Sequence, residues 1–139
     1  MIQEKSCGAV IFAEKDGETL YLIEYMQKGH TSFCKGHVEG NETEHETATR
    51  EIWEEAGLTV DFLPGFREET EYSPYPSCRK RVVLFLARAH SMEVTAQEAE
   101  VRALAWLPFE EALKVQTYEA DRQVLRRAEV FLRAKGTGK

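Results

Sequence analysis

Hydrophobic and polar positions along the chain alternate between two periods, and the changes of period mark the elements. Residues 7–12 (CGAVIF) and 20–26 (LYLIEYM) are apolar and β-prone, with Asp16-Gly17 between them as a hairpin signal, so two paired strands are predicted. From 27 to 36 the pattern lapses into Gly, His, Thr and Ser, which predicts a loop. The first helix is predicted over 43–56. Thr43 with Glu46 three residues on forms a capping box, and Gly57 supplies the left-handed stop. Three strands are expected next, at 58–62, 66–72 and 81–89, the last holding the apolar run VVLFLA. A Pro-containing loop, 73–78, separates the second from the third. Residues 101–107 predict a further strand and 109–115 a short helix after Pro108. The last helix, 118–134, places Val124, Ala128, Phe131 and Leu132 on one face, which should pack on the sheet. Residues 136–139 read as a frayed tail, and there is no internal repeat or low-complexity tract.

Composition narrows the class. With 139 residues, 42% of them hydrophobic and 30% charged, the chain is expected to form one domain with a real core. No stretch approaches the roughly 20 apolar residues of a membrane span, and residues 1–6 carry no signal-peptide pattern, so a soluble, cytoplasmic protein with no membrane partner is expected. Cys7, Cys34 and Cys78 are an odd number at irregular spacing, which fits neither a disulfide framework nor a zinc site, and reduced thiols are expected. The net charge of -6 argues against a broad nucleic-acid surface, and no DNA partner is expected. A phosphorylated small molecule remains compatible with it if metal ions supply positive charge.

The chemistry concentrates in residues 36–58, GHVEGNETEHETATREIWEEAGL. On a helix, Glu51, Glu54 and Glu55 stand at i, i+3 and i+4, so the three carboxylates share a face. Thr49, Ile52, Trp53 and Ala56 fall on another side, expected to meet the core. Like charges at this spacing repel, so a counter-charge should be present. Glu-rich helix faces are commonly no more than solvated surface. Hard oxygen donors on one face also suit Mg²⁺ or Mn²⁺, which bind a few carboxylates and keep other positions for water and substrate phosphate.

The spacing around these carboxylates decides between the two. Gly36, Glu42, Arg50, Glu51, Ile52, Glu54, Glu55, Gly57 and Leu58 meet every position of the pattern G-x5-E-x7-R-E-U-x-E-E-x-G-U, with U a bulky aliphatic residue. The segment therefore resembles the Nudix hydrolase signature. The resemblance implies an α/β fold, an α/β/α sandwich whose mixed sheet holds a loop-helix-loop motif, and hydrolysis of a phosphoanhydride bond in a nucleoside diphosphate derivative. It implies that Glu51, Glu54 and Glu55 bind a divalent cation, joined by the backbone carbonyl of Lys35, and that Arg50 orients carboxylates such as Glu42. Catalytic roles fall on Glu54, Glu51, Arg50 and Glu100. The proton acceptor in such enzymes is a glutamate of the helix or of a later loop, and here the late candidates are Glu98 and Glu100. Glu44 lies on the same helix but outside the signature.

A finer resemblance runs through most of the chain. Residues 7–12, Lys35-Gly36-His37-Val38-Glu39, Gly65-Phe66 with Tyr72, 80–87 and Trp106-Leu107 through Ala112 look like asymmetrically cleaving bis(5′-nucleosyl)-tetraphosphatases. These produce ATP and AMP from diadenosine tetraphosphate. Such a substrate would need cations beyond the metal and a flat surface for the base. Lys35, Arg79, Lys80 and Arg81 are candidates for phosphate, and Tyr72 and Tyr75 for stacking. Thr31-Ser32-Phe33-Cys34 stands where relatives usually carry an aromatic residue and a proline, and Asn41 where a glycine is common. Other Nudix activities (on nucleoside triphosphates, RNA 5′ ends or sugar nucleotides) are the nearest alternatives. A non-catalytic nucleotide sensor is the alternative from another class. Oligomeric state has no signal in the sequence.

Overall fold

A computed structural model describes residues 2–136. In chain order the elements are β1 (Ile2–Lys15), β2 (Glu18–Met26), β3 (Thr31–Ser32), β4 (Cys34–His37), α1 (Glu44–Ala56), β5 (Val60–Tyr75), β6 (Cys78–Ala89), β7 (Val101–Pro108), α2 (Phe109–Val115) and α3 (Glu119–Ala134). The sheet runs β3-β2-β1-β6-β5, with β4 also paired to β1 and β7 to β2. The β1–β6 pair is parallel and the other pairs are antiparallel, so the sheet is mixed.

Alternation along β1 explains how one sheet supports two cores. Cys7, Ala9 and Ile11 point to one face and meet Ala48, Ile52 and Ala56 of α1, together with Val83 and Phe85 of β6. Val10 and Phe12 point to the other and meet Val124, Leu125, Ala128 and Leu132 of α3, together with Leu84 and Leu86. Each large aliphatic or aromatic side chain so enclosed contributes about 1.5–3 kcal/mol through removal from water. This is the α/β sandwich that the signature implied, with α1 on one side and α2 and α3 on the other.

Several boundaries differ from the sequence expectation. β1 begins at Ile2 rather than near Cys7, because its polar start pairs with β6 through the backbone, from Ile2 opposite Cys78 onward. The expected strands 58–62 and 66–72 are one strand, β5, whose register shifts between Phe62 and Arg67, with Gly65 at φ 94° taking up the irregularity. β5 also runs through Tyr75, so the expected loop 73–78 shrinks to a turn at Pro76-Ser77. The expected loop 27–36 contains β3 and the start of β4.

On α1, Thr49 and Trp53 do not meet the core. Trp53 is 61% exposed, because the stripe that faces the sheet runs through Ala48, Ile52 and Ala56, and residues 49 and 53 lie about 100° further round the helix. On α3 the buried face gains Leu125 and Glu129. Glu129 tolerates burial by accepting hydrogen bonds from Tyr21 Oη (2.5 Å) and Arg133 Nε (2.7 Å). Of the predicted tail, residues 137–139 lie outside the described residues. Among the described residues no helix is long and apolar enough to cross a membrane.

Candidate active site

The site is built on α1, and α1 is fixed at both ends. Thr43 Oγ1 accepts from the Glu46 N–H while Glu46 returns the contact to the Thr43 N–H, and at the other end Gly57, at φ 68°, donates to the Trp53 carbonyl. With Ile52 and Ala56 locked into the core, Glu51, Glu54 and Glu55 project from the flank of the helix toward β4. All three line one cavity of about 600 Å³. Glu54 lies at its solvent side, Glu51 is mostly covered, and Glu55 is 5% exposed.

Arg50 is the expected counter-charge. Its guanidinium clasps Glu42 with Nε and Nη2 (2.7 and 3.0 Å), donates to Glu51 (2.7 Å) and Glu54 (3.1 Å) through Nη1, and reaches the His37 carbonyl (2.9 Å) through Nη2. One side chain thereby ties the helix, the loop before it and the end of β4 together. Glu42 also accepts from the Glu39 N–H (3.0 Å) and Thr47 Oγ1 (2.9 Å). Arg50, and after it the Glu39 amide, hold the Glu42 carboxyl down to about 2. A depressed carboxyl stabilises the fold above its ordinary range, near 4.3, and that contribution fades as pH falls toward 2.

Gly36 has a steric reason. A Cβ there would collide with the carboxylate of Glu51. Gly36→Ala should therefore displace Glu51 or push β4 away from α1, lowering stability by about 1–3 kcal/mol, measurable by thermal denaturation. A variant as stable as the parent would show that the two elements have slack. One residue earlier, the Lys35 N–H donates to Glu55 Oε1 (3.2 Å), which holds the backbone of Lys35 against the innermost carboxylate.

The cavity collects most of the other residues singled out in the sequence. Lys35, Lys80, Tyr72 and Glu100 line it. Tyr75 does not: it sits at the end of β5 opposite Cys78, half exposed. Alternation along β6 sorts the basic run. Lys80 reaches the cavity, whereas Arg79 pairs with Glu71 (3.6 Å) and Arg81 with Glu69 (3.1 Å). Glu98 is absent from the lining, and its carbonyl accepts from Gln27 Nε2.

Sequence reasoning missed the floor of this cavity. Glu24, from β2, is 1% exposed, and neither of its carboxylate oxygens has a hydrogen-bond donor. One ligand atom each from Glu24, Cys34 and Glu55 lie within 4.8 Å of one another. Burial first, and then the neighbouring Glu24 carboxylate, push the Glu55 carboxyl well above its ordinary range. Burial pushes up Glu24 and Cys34 as well. The signal was present: Glu24 is the one charged residue in the apolar run LYLIEYM. Glu44, on the helix but outside the signature, has a structural role. It bridges Lys5 (2.6 Å) and both arms of Arg67 (2.9 and 2.8 Å), joining α1 to β1 and β5.

Such an arrangement is suited to oxygen-seeking cations. Two buried carboxylates packed close enough to repel, one of them with no donor to either oxygen, are costly unless positive charge is added. The cavity is open enough to admit a ligand alongside such a cation.

Comparisons agree with this geometry. The NUDIX domain model matches residues 3–128. A Sus scrofa protein named bis(5′-nucleosyl)-tetraphosphatase [asymmetrical] is 30% identical, over 92% of this chain and 95% of its own length. Its Rattus norvegicus counterpart is 31% identical over the same shares. Among solved structures, the binary complex of C. elegans Ap4A hydrolase superposes with a TM-score of 0.87 at 27% identity, covering 94% of this chain and 98% of that one. With the complete signature folded into a braced helix and cavity, and the family model spanning nearly the whole chain, this protein belongs to the Nudix hydrolase family and is a pyrophosphohydrolase.

Proposed function

We propose that the chain hydrolyses dinucleoside polyphosphates asymmetrically, with diadenosine tetraphosphate giving ATP and AMP, in the presence of Mg²⁺ or Mn²⁺. The observation that carries the reading is the composition of the cavity. Among the described residues, six glutamates (24, 39, 51, 54, 55 and 100) and three lysines (28, 35 and 80) line it. Such a surface repels a polyphosphate unless cations intervene. The donor set fits them: Glu51, Glu54 and Glu55, with the Lys35 backbone beside them, offer hard oxygens. When bound, the cation supplies Lewis-acid neutralisation of the phosphates and acidification of the attacking water.

The chain's own groups do the rest. Arg50 holds Glu51 and Glu54 in place through the contacts it makes to both. A glutamate of the cavity, Glu51, Glu54 or Glu100, takes the proton of water as its oxygen bonds to phosphorus and the bridging P–O bond breaks. Lys35 and Lys80 meet the phosphates further along the chain. Phe33 is buried in the core, so the flat surface for a base falls to Tyr72, half exposed at the cavity. The similarity to asymmetric tetraphosphatases over nearly the full length supports this substrate class.

A substrate panel with Mg²⁺ in H₂¹⁸O tests it. Diadenosine tetraphosphate should yield ATP and AMP with label in only one of them, since attack occurs at one phosphorus. Two equivalents of ADP would mean symmetric cleavage, and brisk turnover of another nucleotide without this one would move the enzyme to a different Nudix activity. Lys80→Met should raise KM for the tetraphosphate by about tenfold, roughly 1.4 kcal/mol, and for ADP-ribose by much less, because the longer anion leaves more charge beyond the metal. Equal changes for both substrates would remove Lys80 from phosphate recognition. Lys80 also lies 3.3 Å from Glu4, so Glu4→Gln, which frees the ammonium, should move KM the other way.

A further inference from the structure

The carboxylates of the signature helix account for one side of the cavity. They do not account for Glu24 of β2, which lines its inner end beside Glu55, or for Cys34 of β4, whose sulfur lies within 4.8 Å of both carboxylates. A glutamate that is 1% exposed and has no donor to either oxygen is an exception in a folded protein, where buried polar groups are nearly always partnered. Its nearest polar neighbours add to the problem. Glu55 is a second acceptor, and Cys34 offers only a weak donor, with ligand atoms of all three within 4.8 Å. Alternation on β2 sends Leu22 and Glu24 to the side of α1, and Leu22 packs in the core beside Cys34. The carboxylate is thus aimed by a rigid strand into the cavity floor.

We propose that Glu24, Cys34 and Glu55 form an inner cation subsite, distinct in its donors from the carboxylates at the mouth, that takes a thiophilic divalent ion such as Co²⁺ or Zn²⁺ in preference to Mg²⁺. A sulfur donor is the reason for the preference: Mg²⁺ selects oxygen and water, whereas later first-row ions accept thiolate with carboxylate. On binding, the Cys34 thiol gives its proton to solvent and its sulfur to the ion. The cation removes the repulsion between Glu24 and Glu55 and supplies the partner that Glu24 lacks. The inference deepens the metal-dependent reading of the same cavity, through Glu55, which both donor sets share. The bland alternative is a carboxyl pair that holds a proton between its members.

The full-length chain, stripped with chelator and dialysed, should be titrated with Co²⁺ and followed by absorption and calorimetry. A near-ultraviolet sulfur-to-cobalt charge-transfer band should grow with the first equivalent. Cys34→Ser should abolish it, while Cys78→Ser, outside the cluster, should leave it. Glu24→Gln should weaken Co²⁺ binding at least tenfold and remove the rise in melting temperature that the ion gives the parent. Cys34→Ser should also lower the ratio of Zn²⁺ to Mg²⁺ affinity. Cobalt bound without the band would overturn the inner subsite yet keep the outer carboxylate site. A band and affinity unchanged in Glu24→Gln would also overturn it, leaving the shared proton. If neither Co²⁺ nor Mn²⁺ binds, the metal-dependent reading fails with it.

Discussion

Glu54→Gln and Glu55→Gln should each lower kcat by about a hundredfold or more, about 2.7 kcal/mol of transition-state stabilisation, with the fold intact. Glutamine keeps the shape and removes the charge that a cation or a proton must meet. The structure makes the stability half of this expectation specific. Glu54 is half exposed and its contact to Arg50 is 3.1 Å, so losing it costs little. Glu55 is buried beside Glu24, and its Oε1 accepts from the Lys35 amide. Glutamine retains that acceptor, offers Glu24 a donor and ends the repulsion, so in chelator the melting temperature of Glu55→Gln should equal or exceed that of the parent. A loss of activity together with a falling melting temperature would mean that Glu55 is structural.

The comparison needs an inert control. Glu44→Gln, on the same helix, would not serve, because Arg67 and then Lys5 hold Glu44 at about 2 and tie α1 to the sheet. Glu111, exposed on α2, is the better choice, and Glu111→Gln should leave kcat unchanged. If Glu54→Gln and Glu55→Gln behave like Glu111→Gln, the helix face is only solvated surface.

Chelation should have the largest effect: EDTA should abolish turnover, and Mg²⁺ or Mn²⁺ in excess should restore it. The cavity's six glutamates and three lysines leave it acidic, so without added positive charge a polyphosphate meets repulsion where it must bind. Removal of the cation should also destabilise the protein, because it leaves the buried Glu24 and Glu55 carboxyls without a positive partner, Arg50 being bonded to Glu51 and Glu54 instead. Melting curves with and without Mn²⁺ read this directly, and their difference should shrink in Glu55→Gln. Undiminished turnover in chelator would rule out the mechanism.

By itself the sequence determined whatever is decided over a few residues. The capping box at Thr43 and Glu46, the Gly57 stop and the i, i+3, i+4 placement of Glu51, Glu54 and Glu55 are local, since a helix sets the position of neighbours within a turn. The pairing of Arg50 with Glu42 was implied by the resemblance to the Nudix signature, and the structure shows it as an ion pair.

What the tertiary structure decided depends on pairing across the sheet. Residues 60–75 form one strand because β6 offers a partner along them, which no local pattern records. Lys80 and not Arg79 or Arg81 faces the cavity, and Tyr72 joins it while Tyr75 does not, because register and turn length choose the face. Glu24 is the clearest case. In sequence it is one charge inside an apolar strand, ten residues from Cys34 and thirty-one from Glu55. Only the packing of β2, β4 and α1 brings the three together and buries them, and it is burial that turns an ordinary carboxylate into one that needs a partner.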